Sequence, residues 1–394
     1  MASTIEYCSL RSMTQRGAGI AGFLPGILLL IVLATSSAQA QTFTTLFSLD
    51  KASGTYSVAG LAIGPDGDLY GTAQQGGAHD LGTVFKVDSA GKLTVLYSFS
   101  GTDGAYPSAG LTFDADGNVY GTTMLGGSAN RGTVFKVGGK SEIYSFGSKH
   151  GDGTYPIAGV VVDGAGNVYG TTQQGGAHGF GTVFKFSAAG KETILYSFKG
   201  VPDGEYPCAG LTLDSKGNLY GTTQLGGPIS QNDGTVFELS SADKETVLYS
   251  FTDANGDGAY PIGGVVRDEA GNLYGTTSDG GKFGIGIVFE VDKAGKETVL
   301  YPFGKNSGDG LYPFAGLVRD AKGNLYGTTE FDADGPGAVF EVTPSGDETI
   351  LHTFAGSDGA DPLAALVQDT KGNLYGTTTE GGAHNKGVVF QLVP

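Results

Sequence analysis

The chain has 394 residues, 70 of them glycine and none tryptophan, with 23 basic against 40 acidic side chains and a formal charge of −17. Such a surface repels phosphate backbones and argues against nucleic-acid binding, while it suits divalent cations, neutral sugars or basic partners. The Val, Leu, Tyr and Phe between the glycines exclude a disordered or collagen-like chain and point to many short strands joined by tight turns.

Residues 1–40 stand apart. Arg11 and Arg16 precede an apolar run from Ile20 to Leu33, and Ala38-Gln39-Ala40 ends the segment. This is the order of a secretory signal peptide, with cleavage expected before Gln41. The run is too short to span a bilayer, so no transmembrane span is expected after cleavage. Removal takes away Arg11, Arg16 and Glu6, which moves the charge to −18, and Cys8, which leaves Cys208 as the one cysteine of the mature chain. Cys208 holds the place of Ser108 and Ile157 in neighbouring repeats and reads as a small buried filler.

From residue 41 onward one unit recurs. The segment Gly217-Asn218-Leu219-Tyr220-Gly221-Thr222-Thr223 returns seven times, its tyrosines being Tyr70, Tyr120, Tyr169, Tyr220, Tyr274, Tyr326 and Tyr375. A period near 50 residues marks a repeat architecture. Within one unit, Ala109 to Phe113 reads as strand A and Asp114 to Gly117 as a tight turn. Asn118 to Thr123 is strand B, and a Gly-rich loop leads to strand C, Gly132 to Val137. Strand D is Glu142 to Phe146, and a longer loop leads to the next A. Four short strands per unit fit a propeller blade.

The ends of the chain are offset. Thr42 to Leu49 reads as a D strand, while the last unit stops after its C strand, Gly387 to Leu392. A ring uses that offset, because the N-terminal strand completes the last blade and leaves no free edge. The expected fold is therefore all-β: a seven-bladed β-propeller of four-stranded blades over residues 41–394. Strand A is expected innermost, where Ala109-Gly110, Ala158-Gly159 and Ala209-Gly210 permit close approach. D–A and B–C loops then share one face of the disc, and A–B and C–D turns share the other.

The unit Tyr-Pro-x-Ala-Gly-Leu-x-x-Asp-x-x-Gly-Asn-Leu-Tyr-Gly-Thr-Thr is followed by Gly-Gly, Gly-Thr-Val-Phe and Leu-Tyr-Ser-Phe. It resembles the bacterial GloVer tandem repeat over about Thr42 to Val393, and its core is similar to NHL-type propeller repeats. The resemblance implies an exported protein of a family with varied C-terminal anchors and no established activity, with strand A innermost. Unlike the anchored members, this sequence ends at Pro394 without a hydrophobic tail.

Three constellations carry candidate chemistry. Asp253-Ala254-Asn255-Gly256-Asp257-Gly258 has a spacing that lets alternate oxygens of Asp253, Asn255 and Asp257 converge on Ca²⁺. Its twelfth position is Gly264 rather than a bidentate Glu, and a plain Asx-rich turn is the reading the residues favour over a metal site. Tyr106, Tyr155, Tyr206, Tyr260 and Tyr312 each precede Pro, with Asp103, Asp152, Asp203, Asp257 and Asp309 three residues earlier. Tyrosines beside carboxylates suit sugar recognition, and a feature of nearly every blade also suits structure. His79, His178 and His384 lie in equivalent loops, as ligand-binding or solvated groups.

A single active site must break the sevenfold symmetry. The departures found, at Asp361, Phe331, Asp332, Asp334, Arg267 and Arg319, are scattered, and no nucleophile elbow or phosphate loop occurs. The expected function is an exported β-propeller, acting as a monomer, that binds an extracellular or envelope glycan or protein through its D–A and B–C loop face. The alternative is a secreted Ca²⁺-dependent lyase or hydrolase acting on polysaccharide. The expected compartment is the periplasm, the envelope or the medium.

Overall fold

A computed structural model describes residues 41–138, 142–227, 232–332 and 335–394; the expected signal peptide lies outside them. The described residues are all strand and turn, folded into seven four-stranded antiparallel blades. Blade two is typical: Thr112–Phe113 (A), Val119–Thr123 (B), Thr133–Val137 (C) and Glu142–Ser145 (D). Blade seven takes Val367–Gln368, Leu374–Thr377 and Val388–Val393 from the end of the chain and Thr42–Ser48 from its start. The two termini pair antiparallel, from Thr42 opposite Val393 to Ser48 opposite Val388. The expected fold and its closing strand are thus observed. Among the described residues no helix is long and apolar enough to cross a membrane.

The recurring Tyr-Gly-Thr-Thr segment is strand B, and each of its first three positions has a distinct physical task. The tyrosine hydroxyl donates to the aspartate that opens the A–B turn, as in Tyr120 to Asp114 at 3.0 Å and Tyr169 to Asp163 at 3.0 Å. The glycine lies beneath the phenylalanine of strand C: a Cβ on Gly221 would meet Phe237 Cζ at 2.8 Å, and one on Gly121 would meet Phe135 Cζ at 2.5 Å. The first threonine joins blades. Thr72, Thr122, Thr171, Thr222, Thr276, Thr328 and Thr377 each donate to a strand-A carbonyl of the following blade, at 2.8–3.1 Å.

Those inter-blade bonds explain a difference from the sequence reading. Strand A was expected over Ala109–Phe113, yet only Thr112–Phe113 pairs with strand B. The Ala109 carbonyl is taken by Thr72 of the preceding blade, and Ala109-Gly110 bends toward its neighbours around the axis. A Cβ on Gly159 would lie 3.1 Å from the Gly110 oxygen, and one on Gly110 3.2 Å from that of Gly60. The innermost position of strand A follows from that close approach.

A blade cannot bury its own faces, so the core is made between blades. At six junctions the phenylalanine that ends strand D meets the strand-C phenylalanine of the next blade edge to face or tilted, as in Phe99 with Phe135 and Phe251 with Phe289. Strand-C rings thus sit between the next-door ring and their own glycine. Gly221→Ala is expected to destabilise the protein by about 1–3 kcal/mol through overpacking, read by denaturant unfolding; its backbone φ is ordinary, so an unchanged midpoint would mean that Phe237 yields.

Arg267 and Arg319 also find their place here. They lie over Tyr220 and Tyr274 of the preceding blades, with 5.3 and 5.4 Å from guanidinium to ring centroid. In blades one to three the same tyrosine carries a lysine from its own strand C, Lys86, Lys136 or Lys185. These substitutions exchange one cation source for another and belong to the scaffold.

Candidate functional site

The D–A loops are built on two repeated anchors. In the first, the loop aspartate accepts a hydrogen bond from the strand-D tyrosine and another from a loop backbone N–H. Asp152 accepts from Tyr144 at 3.0 Å and from the Gly147 N–H at 2.9 Å; Asp309 accepts from Tyr301 at 2.9 Å and from the Asn306 N–H at 2.8 Å. Asp103 and Asp203 do the same with Tyr97 and Tyr196. Asp257 accepts from the Thr252 N–H and hydroxyl and from the Gly258 N–H. Five of the carboxylates set beside the tyrosines are therefore engaged in holding their own loops.

The second anchor is the tyrosine before proline. Tyr106, Tyr155, Tyr206, Tyr260 and Tyr312 all have φ between 55° and 59°, the left-handed region that bulky residues avoid. The strain is held by the backbone: the Tyr106 N–H donates to the Leu81 carbonyl of the preceding blade, and its own carbonyl accepts from the Met124 N–H. The pattern repeats at Tyr155, Tyr206, Tyr260 and Tyr312. The side chains are half-buried against the preceding B–C loop, as in Tyr155 beside Arg131 and Tyr206 beside Phe180. Cys208, like Ser108 and Ile157, is half-buried at the start of strand A rather than fully buried.

His79, His178 and His384 are exposed on their B–C loops. His384 lies near Asp50, whose carboxyl sits below the ordinary range chiefly through hydrogen bonds from Ser53. Asp253 and Asn255 are exposed, both with left-handed backbone. Among the described residues no three His, Cys, Asp or Glu side chains are grouped to hold a metal ion.

Symmetry breaks on this face across blades five to seven. After strand B the blades carry Gln74, Met124, Gln173, Gln224 and Ser278, but blade six carries Glu330. One residue further, where others have Gln75, Leu125 or Gln174, blades five and seven carry Asp279 and Glu380. Asp361 stands where six blades have tyrosine, with φ 53°. Glu330, Asp361 and Glu380 feel one another, while Asp279 meets Glu330 only in their common effect on Tyr312. Burial, and then Asp361, pushes the Glu330 carboxyl up to about 7. Burial and then Glu380 raise Asp361, and burial and then Asp253 raise Asp279. Tyr312 is raised by burial, Asp279 and Glu330 together. Glu330 Oε2 is buried without a hydrogen-bond partner, and no ion pair to these four carboxylates occurs among the described residues. The result is an acidic arc across blades five to seven, at positions where blades one to four carry neutral residues.

The other face has open space of its own. A cavity of about 540 Å³ lies between blades seven and one, bounded by Leu46, Ile63, Leu69, Val87, Tyr375 and Gln391. Its polar groups are largely used internally: Gln391 donates to the Tyr375 hydroxyl at 3.0 Å, and that hydroxyl donates to Asp369 at 3.2 Å.

The family model of the Gloeobacter/Verrucomicrobia repeat matches residues 32–231 and 213–394. The chain belongs to the Gloeobacter/Verrucomicrobia repeat family. Its repeats account for the blades and their junctions, and the acidic arc is a departure from them. No functionally curated protein is similar in sequence. Among solved structures, the fold is similar to the extracellular domain of a protein described as a hybrid two-component system, BT4673, from B. thetaiotaomicron. That match has TM-score 0.57 and 9% identity and covers 89% of this chain and 39% of that one. A gluconolactonase, XC5397 from Xanthomonas campestris, matches with TM-score 0.47 and 13% identity over 89% of this chain and 88% of that one. At these identities the likeness concerns the fold alone.

Proposed function

We propose that this member of the repeat family is an exported, monomeric binding propeller that takes an envelope or extracellular ligand on its loop face, at the acidic arc of blades five to seven. The observation that carries the reading is the break in symmetry. Asp279, Glu330, Asp361 and Glu380 replace neutral residues of the repeat; Glu330, Asp361 and Glu380 act on one another, Asp279 and Glu330 both act on Tyr312, and none of the four has an ion pair among the described residues. A half-buried carboxylate cluster is costly unless it meets positive charge or hydroxyl donors. The ligand it suits is a protein segment or glycan that carries ammonium or guanidinium groups. The leader-like N-terminus supports export, and the extracellular placement of the BT4673 domain accords with it.

A second reading draws on the same pair. A glutamate titrating near neutrality beside another carboxylate is what general acid–base work on a glycosidic bond requires, so a polysaccharide-cleaving enzyme is the alternative. The test is an array of glycans and basic peptides run beside polysaccharide turnover assays, with wild type and the Glu330→Gln, Asp361→Asn double variant. Binding without turnover, weakened at least tenfold in the double variant and by added salt, is the expected result. Turnover abolished by the double variant would select the enzyme, and unaltered binding would remove the arc from the site.

A further inference from the structure

The junction between blades four and five differs from the others at two facing positions. At four other junctions the B–C loop residue just before strand C lies over a glycine that follows the strand-D phenylalanine. Leu81 comes within 3.3 Å of a Cβ placed on Gly101, Phe180 within 3.2 Å at Gly200, Ile285 within 2.6 Å at Gly304 and Arg131 within 2.6 Å at Gly147. At the four–five junction the covering residue is Asp233 and the glycine is replaced by Asp253. Asp253 keeps the glycine-like backbone, with φ 50° and its N–H donating to the Gly258 carbonyl as Gly101 does to Gly104. Two carboxylates thus stand where the repeat places an apolar or basic side chain over a bare backbone.

Asp233 is 6% exposed, and its Oδ2 is buried with no hydrogen-bond partner. Burial, then Asp253 and Asp257, raise its carboxyl to about 6, so the repulsion is felt. Asp253 is raised as well, by burial and then Asp257. Asp257 is not available to a ligand in the same way, because Thr252 and Gly258 occupy both its oxygens. A buried carboxylate oxygen with neither donor nor cation is expensive to keep, and here it faces a second carboxylate held in strained backbone.

We propose that Asp233 and Asp253 form a weak divalent-cation site of hard-oxygen, calcium-type chemistry that clamps the D–A loop of blade five to the B–C loop of blade four. Only two carboxylates are committed to it, so an ion takes main-chain and solvent oxygens for the rest. The expected dissociation constant is in the range of about 0.1–1 mM typical of extracellular modules. This assignment keeps Asp253 from the Asp-x-Asn-x-Asp spacing, sets Asp257 aside and adds Asp233 from a different loop.

The test is thermal unfolding of the purified protein in EDTA, in 10 mM CaCl₂ and in 10 mM MgCl₂, beside luminescence of Tb³⁺ sensitised by nearby tyrosine. Calcium is expected to raise Tm by about 2–4 °C, with a smaller effect of magnesium, and to quench the Tb³⁺ signal. The double variant Asp233→Leu, Asp253→Gly restores the pair found between blades one and two. It is expected to fold, to melt at or above the wild-type temperature in EDTA, and to respond to neither ion. A wild-type protein indifferent to calcium and silent with Tb³⁺ overturns the proposal. So does a double variant that keeps the calcium response, since the ion then binds elsewhere, the acidic arc included.

Discussion

A chain that begins at Asp50 is expected to lose its cooperative melting transition and to aggregate or self-associate. Thr42 to Ser48 supplies the outer strand of blade seven, and without it the Val388–Val393 strand is an unpaired edge. The loss reaches two inter-blade cores. Phe43 stacks on His352 at 3.7 Å and contacts Phe354 and Phe390 between blades six and seven. Leu49 is fully buried, with Leu46 and Phe47 beside it, between blades seven and one. Full burial of such a side chain contributes about 1.5–3 kcal/mol; Leu49 is fully buried and Phe43, Leu46 and Phe47 are half-buried, so the four together amount to a large share of the roughly 5–15 kcal/mol that holds a domain folded. The decisive control moves residues 41–49 to follow Pro394. Thr42 already lies opposite Val393, so a short turn joins them, and the transposed chain is expected to melt as the wild type does. A monomer starting at Asp50 with wild-type Tm would show that ring closure contributes little.

The closing strand was legible because its residues repeat a pattern: Thr45-Leu46-Phe47-Ser48 echoes Val247-Leu248-Tyr249-Ser250, and the missing D strand of the last unit had one place to come from. Strand B was legible for the same reason, although its letters alone did not reveal that glycine lies under a ring and threonine bridges to the next blade. The site was less so. Asp253, Asn255 and Asp257 stand out by local spacing, but Asp257 holds its loop as Asp103, Asp152, Asp203 and Asp309 hold theirs, and Asp233, the carboxylate that Asp253 acts on, lies in another loop. Asp279, Glu330, Asp361 and Glu380 are spread over about 100 residues. Among 40 acids they stand out only when the blades are superposed in register. The signal was present as substitution at fixed repeat positions, and a search for motifs along the chain does not detect it. Arg267 and Arg319 show the reverse error: they break the repeat in sequence and preserve its chemistry in space.

The largest pH effect is expected at the outer rim, where stability should fall as pH rises from about 5 to 8. Each of four junctions places a strand-D tyrosine, the loop aspartate and a strand-D glutamate of the next blade together: Tyr144, Asp152 and Glu192; Tyr196, Asp203 and Glu245; Tyr249, Asp257 and Glu297; Tyr301, Asp309 and Glu348. Burial, and then the partner aspartate, lifts Glu245, Glu297 and Glu348 to about 7 and raises Glu192. Their Oε1 atoms are buried without partners. Lys199 and Lys149 oppose the shift at Glu245 and Glu192. The grouping changes as a unit at the ring's closure: His352, Asp358 and Phe43 between blades six and seven, and Phe47, Ser53 and Leu93 between seven and one. Where the tyrosine is lost, so is the glutamate. Because the folded pKa of each glutamate is above its unfolded value, the folded protein holds more protons between about pH 4.5 and 7, so deprotonation in that window removes stability. The lowered aspartates of the A–B turns, Asp114, Asp163, Asp214, Asp268 and Asp369, act oppositely and at lower pH, since their contribution disappears on acidification. Stability should therefore peak near pH 5. After allowance for screening at partly exposed sites, each glutamate contributes roughly 1 kcal/mol or less to the decline. The triple variant Glu245→Gln, Glu297→Gln, Glu348→Gln mimics the protonated form. It is expected to match wild type at pH 5, to exceed it at pH 8 and to flatten the profile of denaturation midpoints between them. A triple variant that is less stable than wild type at pH 8 would mean that these glutamates are charged and paired, and that the junctions are held by ion pairs instead of shared protons.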